Sequence, residues 1–428
     1  MTRAELTAPA RRLAASLRAR ECSAADVTEA CLERIAEREP ALHAWACLDP
    51  DYARRQARAL DAGPIRGPLH GLPLGVKDIF DTAELPTAYG SPAYRDHRPA
   101  ADAACVALAR AAGAVVLGKT ATTELAAYSP SATVNPHNLA CTPGGSSSGS
   151  AAAVADAMTP LAFGTQTAGS IIRPASFCGV VGYKPTFGMI GRAGVKLLAE
   201  SLDTVGVFAL DVADAALLVG ALTARSDLLE LPEVSGPLRI GMCRTHEWSH
   251  VETDAAAALE HAVRALSTEG AILRSIDLPP DFAGLGDAHA AIFGYEISRN
   301  LAHERGSHAA ELTARLRQEL AAGDEVTAQR YDAAQRLARK CRQRLPEITA
   351  DCDVLIAPSA TGEAPLGLES TGSPIMNRIW TLLHVPCVNV PFGRGCRGLP
   401  LGVQVIGRRG DDASALAAAA WIQERLGT

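Results

Sequence analysis

Apolar positions along the chain set the first expected elements. In AADVTEACLERIAERE, which follows Ser23, residues Val27, Cys31 and Ile35 recur at helical spacing, and Ser23 stands where an N-cap belongs. Residues 1–62 are therefore predicted to form an N-terminal helical arm. From Gly63 the texture changes: GPIRGPLHGLPLGVKDIF breaks at glycine and proline, then runs into a short strand over 74–79. DAACVALARAAG (102–113) reads as a helix stopped by Gly113, and AVVLGKT after it as a buried strand. Helix then strand recurs at 254–270 with AILRSID, and further strands are predicted at LRIGM, DVLIAP, PCVNVPFG and LGVQVIG. This alternation predicts an α/β fold, a parallel or mixed sheet covered by helices. The polar, Arg-rich helical stretch 312–345 is the expected insertion or cap. No internal repeat or long Pro/Ser linker divides the chain, so 63–428 is expected to be one domain.

Composition then narrows the function classes. The 428 residues are 48% hydrophobic and 21% charged, with a formal net charge of -6. That mild acidity gives no reason to expect nucleic acid or an anionic membrane as a partner. The eleven cysteines are scattered, odd in number and without CxxC pairs, as reduced thiols in a cytoplasmic protein would be. No metal or cofactor is expected. The N-terminus lacks the continuous apolar core of a secretory signal peptide, and no apolar run reaches the ~20 residues of a membrane span. A soluble, cytoplasmic protein is the expectation.

The stretch TPGGSSSGS, from Thr142 to Ser150, admits three readings. As a linker it is badly placed, because it leads directly into the apolar AAAVADAM. As a phosphate loop it lacks the lysine that should follow its glycines. As part of an active site it needs a nucleophile, a base and an oxyanion site. A second small-residue turn, GTQTAGSIIRP, supplies a candidate nucleophile in Ser170, flanked by Ala168 and Gly169, where backbone N–H groups can converge. Histidine is the usual base, but His70, His137 and His384 lie in loop-like or apolar settings and are assigned structural roles. Lysine is the alternative. Only Lys77, Lys119, Lys184, Lys196 and Lys340 stand among 41 basic side chains, and lysine, unlike arginine, can lose its proton when buried. Lys77 ends the apolar run LPLGV. Lys119 and Lys184 are assigned structural work, and Lys340 a solvated surface.

Taken together, GVKDIFD, TPGGSSSGSAAAV, GTQTAGSIIRPASFCG and VGYKPT resemble the amidase signature family in order and spacing, strongly from about Gly63 to Thr186. The resemblance continues more loosely through SLDTVGVFA and PCVNVPFGRGCRGLPLGVQVIG. It implies one large mixed sheet of about a dozen strands covered by helices. It also implies a Ser–cis-Ser–Lys triad of Ser170, Ser146 and Lys77, with Gly145–Ser146 as a cis peptide. The implied oxyanion hole is the N–H groups of Thr167, Ala168, Gly169 and Ser170. Ser147 and Ser148 are left to loop hydrogen bonds. Thr165, Gln166 and Arg173 are expected to contact substrate. Two departures matter. Ala168 replaces the first glycine of the usual turn, and Arg173 stands three residues beyond the nucleophile instead of two. The displaced arginine is similar to the malonamidase branch, which implies a small amide bearing a carboxylate and release of ammonia. The competing role for Arg173 is a structural ion pair beneath the site. Expected partners are a small-molecule amide and, in a homodimer, a second copy of the chain. Two alternatives are an amidase acting on carbamate, urea-type or aryl amides, and an A-subunit-like component of a tRNA-dependent amidotransferase.

Overall fold

In the computed structural model, which describes residues 8–427, eleven strands form one sheet. They are β1 (Trp45–Leu48), β2 (Pro73–Lys77), β3 (Val115–Thr120), β4 (Leu161–Gln166), β5 (Val181–Lys184), β6 (Thr204–Ala209), β7 (Arg239–Cys243), β8 (Ile272–Ile276), β9 (Val354–Pro358), β10 (Cys387–Arg394) and β11 (Pro400–Ile406). Their order is β1-β3-β2-β4-β6-β5-β10-β11-β9-β7-β8. The β3-β2-β4 and β9-β7-β8 runs are parallel and the centre is antiparallel, so the sheet is mixed. The predicted α/β fold with a single mixed sheet is the one observed.

Strand periodicity divides the core between the two faces. Val354 and Ile356 of β9 join one apolar cluster, while Leu355 and Ala357 join the other. Helices cover both faces, and the inner strands such as β9 are near-continuous apolar runs instead of alternating ones, whereas the edge strand β8 is largely exposed.

The arm is built differently from expectation. Ser23 caps the helix Ala24–Leu42 through a capping box with Asp26. That helix is followed by β1, which pairs with β3 at the sheet edge, and then by the helix Pro50–Asp61. Residues 8–62 are thus not helical throughout: Trp45–Leu48 belongs to the sheet, and Gln56 of the second helix donates to the Val116 carbonyl of β3 at 3.0 Å. A four-residue edge strand is too short to show a period in sequence. Residues 1–7 of the predicted arm lie outside the described residues.

The stretch 312–345 resolves into two helices, Ala314–Asp324 and Ala328–Ile348, capped by Thr313 and Thr327. Both pack on the helix Leu285–Asn300. All eleven cysteines are free thiols. Among the described residues, no helix is long and apolar enough to cross a membrane.

Candidate active site

Parallel pairing of β2 with β4 sets Leu74 opposite Leu161 and Gly75 opposite Ala162. Both strands therefore release the chain at the same edge of the sheet, the place where open α/β sheets put their sites. β2 ends at Lys77, two residues short of the predicted Ile79, because the Ile79 N–H folds back onto the Lys77 carbonyl at 2.7 Å. β4 ends at Gln166 and opens into the turn 167–170.

The loop 142–147 meets both strand ends. Gly145–Ser146 is a cis peptide. Gly144 has φ +83°, and a Cβ there would lie 2.8 Å from Pro174 Cα, so neither conformation nor space admits another residue. Ser147 Oγ donates to the Thr165 carbonyl at 3.3 Å, and Ser148 Oγ to the Gly144 carbonyl at 2.8 Å. These two hydroxyls tie the loop to β4 and to itself.

Lys77 is fully buried. Its Nζ lies 2.8 Å from Ser146 Oγ and 2.7 Å from Thr165 Oγ1, with no carboxylate in contact among the described residues. Burial pushes its pKa down to about 7, and the more distant Asp203 carboxylate opposes part of that fall. Just above neutral pH the side chain is then largely the free amine, a form able to take a proton.

Every carbonyl of 167–169 is claimed from outside the turn. Thr167 O is 2.8 Å from His289 Nε2, Ala168 O accepts from Thr381 Oγ1 at 2.9 Å, and Gly169 O accepts from the Arg173 N–H at 3.0 Å. The N–H groups of Thr167, Ala168, Gly169 and Ser170 donate to no protein acceptor among the described residues. Four free donors in succession are what a developing oxyanion requires. Ala168 has an ordinary backbone, since it is absent from the residues with positive φ. Gly169 is required for space: a Cβ would come within 2.5 Å of Asn377 Oδ1.

Thr165 and Gln166, expected to contact substrate, are both engaged by protein groups. Thr165 Oγ1 is spent on Lys77. Gln166 is buried, with Oε1 accepting from the N–H groups of Ile171 and Ile172 at 2.9 and 3.0 Å and Nε2 donating to Thr381. Its amide fixes the shape of the turn. A polar residue at the end of a buried strand reads equally well either way in sequence.

Ser170 and Arg173 line one cavity of about 380 Å³ with Thr167, Ala168, His289 and Arg378. Arg173 is 4% exposed. One of its nitrogens, Nη2, donates to the Gly145 carbonyl at 2.5 Å and to Thr371 Oγ1 at 3.0 Å. Nε and Nη1 are buried with no hydrogen-bond partner, and no acid pairs with the side chain among the described residues. Burial and then the neighbouring Arg378 push its pKa down to about 9. The structural ion pair that was the competing role for Arg173 is therefore not present among the described residues.

Two supporting residues had no signal of their own in the sequence. His289 sits in GDAHAAIFGYEI, and burial holds its pKa down to about 4, so it is a neutral ring that donates to Thr167 O. Asp203 accepts from Thr167 Oγ1 at 2.5 Å and from the Leu198 and Ala199 N–H groups. Only the loosely matching SLDTVG could have drawn attention to it. His70, His137 and His384 bond to backbone: His70 Nδ1 accepts from the Arg66 N–H, and the other two rings face the Cys178 and Ser201 carbonyls.

The Amidase family model matches residues 26–416. A glutamyl-tRNA(Gln) amidotransferase subunit of Anaeromyxobacter sp. (strain K) is 34% identical, with 97% of this chain and 96% of that protein aligned. The corresponding subunit of Acidothermus cellulolyticus is 36% identical over 92% and 89%. Among solved structures, a crystal structure of an amidase has a TM-score of 0.90 at 30% identity, covering 98% of this chain and 100% of that one. The peptide amidase from Stenotrophomonas maltophilia has a TM-score of 0.82 at 28% identity, covering 98% and 97%. These relatives support the family as a whole and do not single out the malonamidase branch. Sequence match and fold run nearly end to end in both partners, and on that footing this chain belongs to the amidase family, as a hydrolase of amide C–N bonds.

Proposed function

We propose that this amidase hydrolyses small amides bearing a carboxylate, malonamate-like in size and charge, through Lys77, Ser146 and Ser170. Lys77 takes a proton from Ser146 as Ser146 takes that of Ser170. Ser170 Oγ forms a bond to the amide carbon, and the oxyanion rests on the N–H groups of 167–170. The proton on Lys77 returns through Ser146 to the nitrogen, the C–N bond breaks, and ammonia leaves. Water then attacks the acyl-Ser170 ester, losing a proton through the same relay, and restores the serine.

The observation that supports the carboxylate is Arg173. Buried polar nitrogens in folded proteins find partners, and a desolvated guanidinium without an acid is costly. Two unpartnered nitrogens beside the cavity that holds Ser170 fit a carboxylate supplied by substrate. The test compares malonamate with a neutral amide of the same length on wild type and Arg173→Ala. Removing one partner of a buried charge pair typically costs ~2–5 kcal/mol, so kcat/KM for malonamate should fall roughly thirtyfold or more. The neutral amide should lose much less, only what the Gly145 contact contributes. Equal losses on both substrates would reject the carboxylate reading.

A second reading is favoured by the amidotransferase relatives. In it the chain supplies ammonia within a larger complex. Purification together with another protein, and glutamine-dependent activity only in its presence, would establish it in place of the first.

A further inference from the structure

The Arg-rich stretch noted in the sequence forms part of a second cavity, away from the catalytic one. It lies between the end of the helix Ala328–Ile348, the start of β9 and the end of β11, with a volume of about 220 Å³. Its floor is apolar and buried: Leu345, Leu355, Leu383, Val385 and Ile406. Its polar lining is dominated by Arg342, Arg408 and Arg409. The one acid among the lining residues, Asp353, is already engaged by Arg239 through Nε and Nη2. Three cations thus gather over an apolar floor on a chain whose net charge is -6.

Arg342 repeats the signature of Arg173. Its Nε donates to the Leu382 carbonyl at 2.8 Å, while Nη2 is buried without a partner. Burial and the neighbouring cations Arg409 and Arg339 push its pKa down to about 10. Arg408 is committed to the Ala350 and Cys352 carbonyls, but Arg409 is exposed and bonds to nothing among the described residues. A rim in which three arginines outnumber the one carboxylate, over an apolar floor, has a chemical complement.

We propose that this cavity binds an amphiphilic monocarboxylate, its headgroup at Arg342 and Arg409 and its tail over Leu345, Leu383 and Ile406. The site reaches the catalytic cavity through one helix, Ile375–Leu382. Arg342 holds that helix by its Leu382 carbonyl, Thr381 of the helix holds the Ala168 carbonyl, and Arg378 lines the catalytic cavity. A ligand that draws Arg342 toward its headgroup therefore acts on the support of the turn 167–170.

Calorimetric titration of the full chain with octanoate tests the site. Octanoate should bind wild type and Arg173→Ala alike, because the anion anchor of the catalytic cavity is not used. Arg342→Gln and Arg409→Glu should each weaken binding tenfold or more; the second changes an exposed, unpartnered side chain and keeps the fold, which a thermal melt verifies. Hexanoate should bind more weakly by about fourfold per methylene removed, and inorganic phosphate should not compete. Octanoate binding that follows Arg173 instead of Arg342 and Arg409 would overturn the proposal. So would no binding at millimolar octanoate, or phosphate binding as tightly as octanoate.

Discussion

Two buried lysines sit on neighbouring strands and have opposite surroundings. Lys119 of β3 is opposite Val76 in the register of β2, one residue from Lys77. Its Nζ meets the Asp78 carboxylate at 3.1 Å and also donates to the Phe80 carbonyl and Thr87 Oγ1. Burial pushes Lys119 down and Asp78 up, and each charge opposes the shift of the other. Lys77 has, among the described residues, two hydroxyls as its hydrogen-bond partners. In the proposed mechanism, the Asp78 counter-ion favours the charged form of Lys119, and the lack of one in contact with Lys77 favours the free amine that a base needs. Burial alone does not separate the two roles, but the partner does.

The contrast can be broken at several points. Ser170→Ala should have the largest effect, a loss on the order of a million-fold in turnover, together with loss of covalent labelling by a serine-directed phosphonate. Lys77→Met should cost roughly 10²–10⁴-fold in kcat, and Lys77→Arg should not restore it, because guanidinium stays protonated. Stability should change little in Lys77→Met, by about 1–2 kcal/mol in denaturant titration, since two hydroxyls lose a partner. Lys119→Met should do the reverse. Leaving Asp78 buried and alone should destabilise the fold by roughly 3–5 kcal/mol, while molecules that remain folded turn over normally. An active Lys77→Met or an inactive but stable Lys119→Met would invert the assignment.

Smaller effects sharpen it. His289→Ala should lower kcat about fivefold by releasing the Thr167 carbonyl, a loss of about 1 kcal/mol of hydrogen bonding, without altering the pH profile. In wild type, kcat/KM should rise with pH through about 7 and then level, because the deprotonated amine is the active form. Asp203→Asn removes the carboxylate that holds the Lys77 pKa up, so this acidic limb should move to lower pH. A limb that moves upward would mean that Asp203 does not act on Lys77.

Much of this was legible in the sequence because its signals are local. Helical spacing and a capping serine pointed to Ala24–Leu42, and the rarity of lysine made Lys77, at the end of LPLGV, one of a few candidates that the family resemblance then narrowed. What escaped depends on distant packing. Trp45–Leu48 is a strand only because β3 lies beside it. Thr381 and His289 reach the turn 167–170 from segments more than a hundred residues away. The protein partners of Gln166 were illegible for a related reason: a buried amide can bond to several neighbours, and only the fold decides which.

Carbon-13 labelling of the lysine side chains reports the protonation of Lys77 directly, since the chain has only five lysines. The Cε resonances, assigned by single substitution and followed from pH 5.5 to 11, report each amine separately. One lysine should titrate at about 7 and be absent from Lys77→Met, while Lys119, paired with Asp78, should titrate at higher pH than Lys77. A Lys77 still protonated at pH 9 would contradict it, and the proton relay through Ser146 would have no base.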